Sequence, residues 1–185
     1  LQHSIMARPG FKQVWKRIVP ATLERSFYVL FASMALVILF AFWRPLPQGI
    51  WAVESTGLTS VLWALFALGW VIVLASTFLI NHFELFGLQQ AWFNLRGRLA
   101  ASPEFRTPLL YRIVRHPLYL GFLVAFWATP KMTLGHLLFS AGMTFYILVA
   151  LVFEERDLVD QFGDQYRHYQ KQVGKLLPRF GRGLH

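Results

Sequence analysis

An all-α, polytopic integral-membrane fold is predicted by three features of this 185-residue chain: its apolar content, its scarcity of charge, and the placement of the charges it has. Apolar residues make up 56% and charged residues 15%, where a soluble domain carries about 25% charged residues. That excludes a disordered chain and argues against a water-soluble globule. Four stretches, 26–43, 57–80, 118–130 and 132–153, contain no Asp, Glu, Lys or Arg. At about 1.5 Å per helical residue, the first, second and fourth are long enough to cross a hydrocarbon core of roughly 30 Å.

The elements follow in chain order. A polar segment to Arg25 carries five basic residues and leads into a first transmembrane helix over about 26–43, which stops before Arg44 and Pro45. The second helix covers about 57–80. The third apolar stretch is short by itself and reaches membrane length only by starting near Ile113, inside a segment that holds Arg115 and His116. A span of about 113–130 is therefore expected, with its mouth at or below the headgroups. Pro130 and Lys131 are read as a tight turn into the fourth helix, 132–153, so that the last two spans form a helical hairpin. In the tail, 154–185, Leu158, Phe162, Tyr166, Tyr169 and Val173 recur at helical spacing and predict an amphipathic helix. Gly163 is expected to interrupt it and Asp164 to recap its second part. The tail should fold back over the middle loop, 81–117, which Pro103, Pro108 and Pro117 divide. The whole chain, 1–185, reads as one membrane domain.

Lys and Arg outnumber Asp and Glu by 18 to 9, a net charge of +9. All 18 basic residues lie outside the four apolar stretches, and an even number of crossings leaves only Arg44 and Lys131 on the far face. The positive-inside rule makes the basic face cytoplasmic. Topology thus accounts for the charge, and no nucleic-acid partner is expected. The absence of Cys excludes disulfides, Fe–S clusters and Cys nucleophiles. The six His residues are scattered without metal-ligand spacing, so no metal site is expected.

Water-soluble chemistry is confined to the cytoplasmic segments. There, Arg115-His116-Pro117-Leu118-Tyr119-Leu120-Gly121 marks the entrance to the third helix and Glu154-Glu155-Arg156-Asp157-Leu158 the exit from the fourth. Pro at a helix start is ordinary, and a carboxylate pair at a helix exit is usually solvated. Both motifs on one face, with Tyr111 upstream and Tyr166 and Tyr169 downstream, are harder to assign to packing.

The pattern Tyr111-x-x-x-Arg115-His116-Pro117-x-Tyr119-x-Gly121, a hairpin, then Glu154-Glu155-x-x-Leu158-x-x-x-Phe162-Gly163-x-x-Tyr166-x-x-Tyr169 resembles the integral-membrane methyltransferases that include the isoprenylcysteine carboxyl and phospholipid methyltransferases. Gln2-His3-Ser4-x-Met6-Ala7-Arg8-Pro9, the run from Thr77 to Leu88, and Leu95-Arg96-Gly97-Arg98 are similar to the nurim branch, methanethiol S-methyltransferases in particular. The resemblance implies S-adenosylmethionine as methyl donor, in a cytoplasm-facing pocket of a bacterial inner-membrane protein. It implies that Tyr111, His116, Pro117, Leu118, Tyr119, Glu154, Glu155 and Tyr169 hold this cofactor, and that a fifth span precedes Leu1. A carboxylate and aromatic faces suit a donor with a sulfonium and an ammonium. No Gly-x-Gly-x-x-Gly follows a strand, so a Rossmann-type donor site is not available.

In the isoprenylcysteine enzymes a basic residue one turn before the Glu pair helps to hold a carboxylate acceptor; Ala150 stands at the matching position. A small neutral acceptor is favoured, methanethiol first, with a lipid amine, an isoprenylcysteine, or a non-catalytic nurim-like scaffold as alternatives. The partners expected are a small thiol and membrane lipid, with no obligate protein partner. A thiol near pKa 8.5 must lose its proton to act as nucleophile. His82 or His3 is the candidate base, Asn81 or Gln2 its orienting partner, and Glu84 a further candidate.

Overall fold

The computed structural model describes residues 24–79 and 105–179. Among them are five α-helices, one short 3-10 turn and a two-stranded sheet, so the chain is mostly helical. Helix α1, Glu24–Ala41, lies within two residues of the expected first span. It closes where Phe42 N–H donates to the Ile38 carbonyl, just ahead of Pro45.

The remaining described residues, 45–79 and 105–179, form a compact unit of their own. It begins with strand β1, Gly49–Ala52, followed by α2, Thr56–Leu79, which at 24 residues spans about 36 Å. Helix α3 is Pro117–Trp127. Strand β2, Lys131–Thr133, then leads into α4, Leu134–Phe162, and a last helix, α5, is Asp164–Gln172.

Five expectations need correction. The fold is not wholly α: β2 pairs antiparallel with β1, with Trp51 opposite Met132 and Ala52 opposite Lys131. The supposed Pro130-Lys131 turn belongs to this ribbon, which Val53 N–H extends by donating to the Pro130 carbonyl at 2.9 Å. Strands of four and three residues are too short to show a two-residue period in the sequence.

The third helix begins at Pro117, not near Ile113, and its 11 residues reach only about 16 Å. Arg115 N–H and His116 N–H donate to the carbonyls of Gly174 and Lys175, at 2.8 and 3.1 Å, rather than to a preceding helical turn. The residue before a proline also avoids helical geometry.

The fourth helix does not end at Phe153 but runs unbroken through Glu154 and Glu155 to Phe162. Nothing in that polar stretch breaks a helix; Gly163, at φ 57°, does. Asp164 lies in the first turn of α5 and makes no capping hydrogen bond; Gly163 is the cap residue.

Helix α3 lies closest to α2. A Cβ on Gly121 would come 2.7 Å from the Gly69 carbonyl oxygen, and one on Gly69 would come 2.7 Å from Ala125 N. The two backbones touch, as small-residue crossings in membranes allow. Against α4, α3 makes polar contacts: Trp127 Nε1 donates to Thr144 Oγ1, and Ser140 Oγ to the Phe126 carbonyl, both at 2.9 Å.

The tail stripe is present as expected. Tyr166, Tyr169 and Val173 are buried together, and Phe105, Leu158, Val159 and Phe162 pack against them. By length and apolarity, α2 and α4 can cross a membrane, and only 11% and 17% of their most apolar windows are buried. The core helix of a soluble protein would be mostly buried, whereas here Trp63, Val71, Leu74, Phe145 and Leu148 lie open.

Candidate active site

The segment before α3 does not join the helix, and the N–H groups of Arg115 and His116 pair with the tail instead. Val114 forms a parallel bridge with Gly174. That contact holds Arg115 and His116 beside the end of the tail, directly across from Glu154 and Glu155 on α4.

The two carboxylates occupy different surroundings. Successive residues on a helix point about 100° apart. Glu155 turns inward, where Arg115 grips it with a two-pronged fork, Nε to Oε1 at 2.7 Å and Nη2 to Oε2 at 2.9 Å. His116 Nε2 lies 2.9 Å from Oε1 and, facing a carboxylate, donates its N–H to it. Tyr166 OH donates to Oε1 and Gln170 Nε2 to Oε2, each at 3.0 Å. Burial pushes the Glu155 carboxyl up, but the hydrogen bonds from Arg115 and His116, the Arg115 charge and Tyr166 outweigh it and hold it at about 2.

Glu154 is more open, with a side chain 42% exposed. Tyr119 OH donates to its Oε2 at 2.7 Å, and His116 Nδ1 stands 3.7 Å from its Oε1. The Tyr119 and His116 rings are 5.9 Å apart. Behind them, Tyr169 OH donates to the Tyr111 carbonyl. Burial, with the Glu154 charge and Tyr169 adding to it, pushes the Tyr111 phenol upward, and that phenol reaches Ser76 on α2. Burial likewise pushes Tyr169 up to about 12, against the opposing Arg115 charge.

Of the residues the sequence nominates, Tyr111, His116, Tyr119, Glu154, Glu155 and Tyr169 therefore form one connected cluster. Pro117, buried, and Leu118, half-buried, begin the helix that carries it. His3, Asn81, His82 and Glu84 lie outside the described residues. Sequence reasoning placed Arg115 in the motif without giving it a role, and it missed Ser76 and Gln170 as contributors. Arg115 had a signal in its place beside His116. A Gln on a polar helix and a Ser in an apolar one have none.

Residues 1–180 match the family described as NnrU protein. The chain belongs to the NnrU family. Among its relatives, it is 59% identical over 178 residues to methanethiol S-methyltransferase of Mycobacterium tuberculosis, covering 96% of this chain and 73% of that protein. To methanethiol S-methyltransferase of Pseudomonas deceptionensis it is 55% identical over 182 residues, 98% of this chain and 70% of the relative. A more distant relative, Nurim of Xenopus laevis, is 29% identical over 190 residues, 98% of this chain and 64% of that protein. No solved structure matches the chain.

An open carboxylate hydrogen-bonded to a phenol, next to an imidazole and walled by tyrosines, can hold a cation. An inward carboxylate with every oxygen occupied cannot. The cluster thus holds one partly open acid, Glu154, beside a second, Glu155, whose oxygens are both engaged by side chains.

Proposed function

We propose that this NnrU-family chain is an S-adenosylmethionine-dependent methyltransferase acting on a small thiol, methanethiol, to give dimethyl sulfide. The observation that carries the reading is the 59% and 55% identity to proteins named for that reaction, over nearly the whole chain. The cluster around Glu154 adds a chemical fit: its partly open carboxylate, tethered by Tyr119, suits the ammonium end of the donor. Tyr111 and Tyr169 would wall the donor. The N-terminal end of α3, with its positive dipole end, suits a carboxylate.

When bound, S-adenosylmethionine supplies a methyl group on a positively charged sulfur. The task of the chain is then to align the thiol sulfur with that methyl and to keep water away. A new C–S bond forms as the donor C–S bond breaks, and the thiol proton passes to a base. We assign that base to His82 or His3, with Asn81 or Gln2 orienting it and Glu84 as an alternative, because Asn81, His82 and Glu84 follow directly on the second apolar stretch and Gln2 and His3 lie in the polar segment before the first.

The same reading makes the whole chain one domain of a bacterial inner membrane, crossing the bilayer four times with the site facing the cytoplasm. The pairing of β1 with β2 supports it, since Ala52 lies opposite Lys131 and the two far-side loops then share one face. In this reading α3 is the third crossing, although its 11 helical residues reach only about 16 Å.

The test is an acceptor comparison with the purified full chain. Methanethiol is expected to yield dimethyl sulfide in headspace gas, with lipid amines and isoprenylcysteine analogues unmethylated. Replacing His3 and His82 together should depress turnover most at the acidic end of pH 6 to 9, and unchanged turnover throughout would remove both as base. Methylation of a lipid or prenyl acceptor in preference to methanethiol would overturn the substrate assignment.

A further inference from the structure

Resting on that reading, we infer that Glu155 is a positioning residue rather than a ligand of the methyl donor: with Arg115 it bolts the tail to the start of α3, and the bolt shapes the donor site through His116 and Tyr111. A carboxylate offers about four lone-pair positions. Glu155 already receives five hydrogen-bonding contacts at 2.7 to 3.0 Å, from Arg115 Nε and Nη2, His116 Nε2, Tyr166 OH and Gln170 Nε2. Lys175 Nζ stands a further 3.8 Å from Oε2. No acceptor position remains for an ammonium or a hydroxyl from outside.

The contacts come from separate pieces of chain, and that is what makes the group a bolt. Arg115 and His116 precede α3, Tyr166 and Gln170 lie on α5, and Lys175 follows it. Arg115 Nη1 also donates to the carbonyls of Val173 and Gln170, the latter at 3.2 Å, so one guanidinium clasps both α4 and the end of α5. Backbone pairing of 114–116 with 174–175 completes the seam. Gly174 is required there, because a Cβ would fall 1.9 Å from the Leu177 carbonyl oxygen.

Two side chains of the donor site hang from this seam. His116 is anchored by Glu155 on its Nε2 side and faces Glu154 with Nδ1. Tyr111 is anchored through its carbonyl by Tyr169, which α5 delivers. Undoing the bolt therefore loosens the donor site while leaving Glu154 and Tyr119 intact.

The experiment compares Glu155→Gln with Glu154→Gln in the detergent-purified full chain, reading S-adenosylmethionine affinity, KM against kcat, and amide hydrogen exchange of segments 110–118 and 164–176. For Glu155→Gln, exchange in both segments should rise together and KM for the donor should increase about tenfold, the scale of a lost charge-assisted hydrogen bond. Saturating donor should bring kcat back to near the parent value and slow the exchange again. Glu154→Gln should raise KM with exchange unchanged. Gly174→Ala, with every charge in place, should reproduce the exchange signature of Glu155→Gln, and Arg115→Lys should fall between it and the parent.

Loss of donor binding in Glu155→Gln at every concentration, with exchange as in the parent, would make Glu155 a direct ligand and overturn the inference. So would parent-like exchange in both Glu155→Gln and Gly174→Ala. If the parent chain itself binds no S-adenosylmethionine, the proposed function fails, and the exchange comparison still decides whether the bolt exists.

Discussion

At the scale of single residues, the adjacent acids Glu154 and Glu155 divide their roles by helical phase. The sequence marks both through one motif, yet it does not say which turns inward, because that depends on where Arg115 and α5 sit. His116 and Tyr119 were legible because their ordered spacing survives as contacts to these acids. Gln170 was not, since a polar side chain on a polar helix looks solvated until Glu155 is placed beside it. The inward acid carries a pH signature. Its pKa falls from an ordinary 4.5 to about 2, so its contribution is fully present above about pH 4.5 and is lost as pH drops toward 2. The shift corresponds to about 3 kcal/mol as an order of magnitude. Thermal unfolding in detergent should show stability declining across that acid window, with a flatter decline in Glu155→Gln; equal slopes for the two proteins would contradict the assignment.

At the scale of elements, the long helices were legible because apolar stretches without charge need only be counted. Helix α2 lies within one residue of its expected bounds. The Gly163 break was legible too, from a glycine, which tolerates a positive φ, set inside the helical spacing of the tail. The β1–β2 ribbon and the late start of α3 were not, because both depend on partners distant in sequence: residues 49–52 for one and Gly174 and Lys175 for the other. The close approach of α2 and α3 is likewise tertiary. It predicts that Gly121→Leu, which forces a side chain into the Gly69 backbone, destabilises the helix pair by at least the roughly 1–3 kcal/mol typical of overpacking. A lower unfolding temperature in detergent would bear this out, while Gly142→Ala, at a site with nothing within 4 Å, should leave it unchanged.

At the scale of the whole molecule, the proposed topology makes the basic excess an orienting charge, and the open apolar faces of α2 and α4 suit lipid. The chain has no Cys, so single cysteines report topology without background. A membrane-impermeant maleimide should label Gln48→Cys in intact spheroplasts and Gln161→Cys only after permeabilisation; the reverse pattern would invert the orientation. The proposed orientation would put Glu154 on the side where the donor is made. The most direct measurement is calorimetric titration of the detergent-purified full chain with S-adenosylmethionine, in parallel with Glu154→Gln. Saturable binding by the parent, weakened about tenfold or more in Glu154→Gln, is the predicted result. No binding by the parent, or equal binding by both proteins, would contradict it.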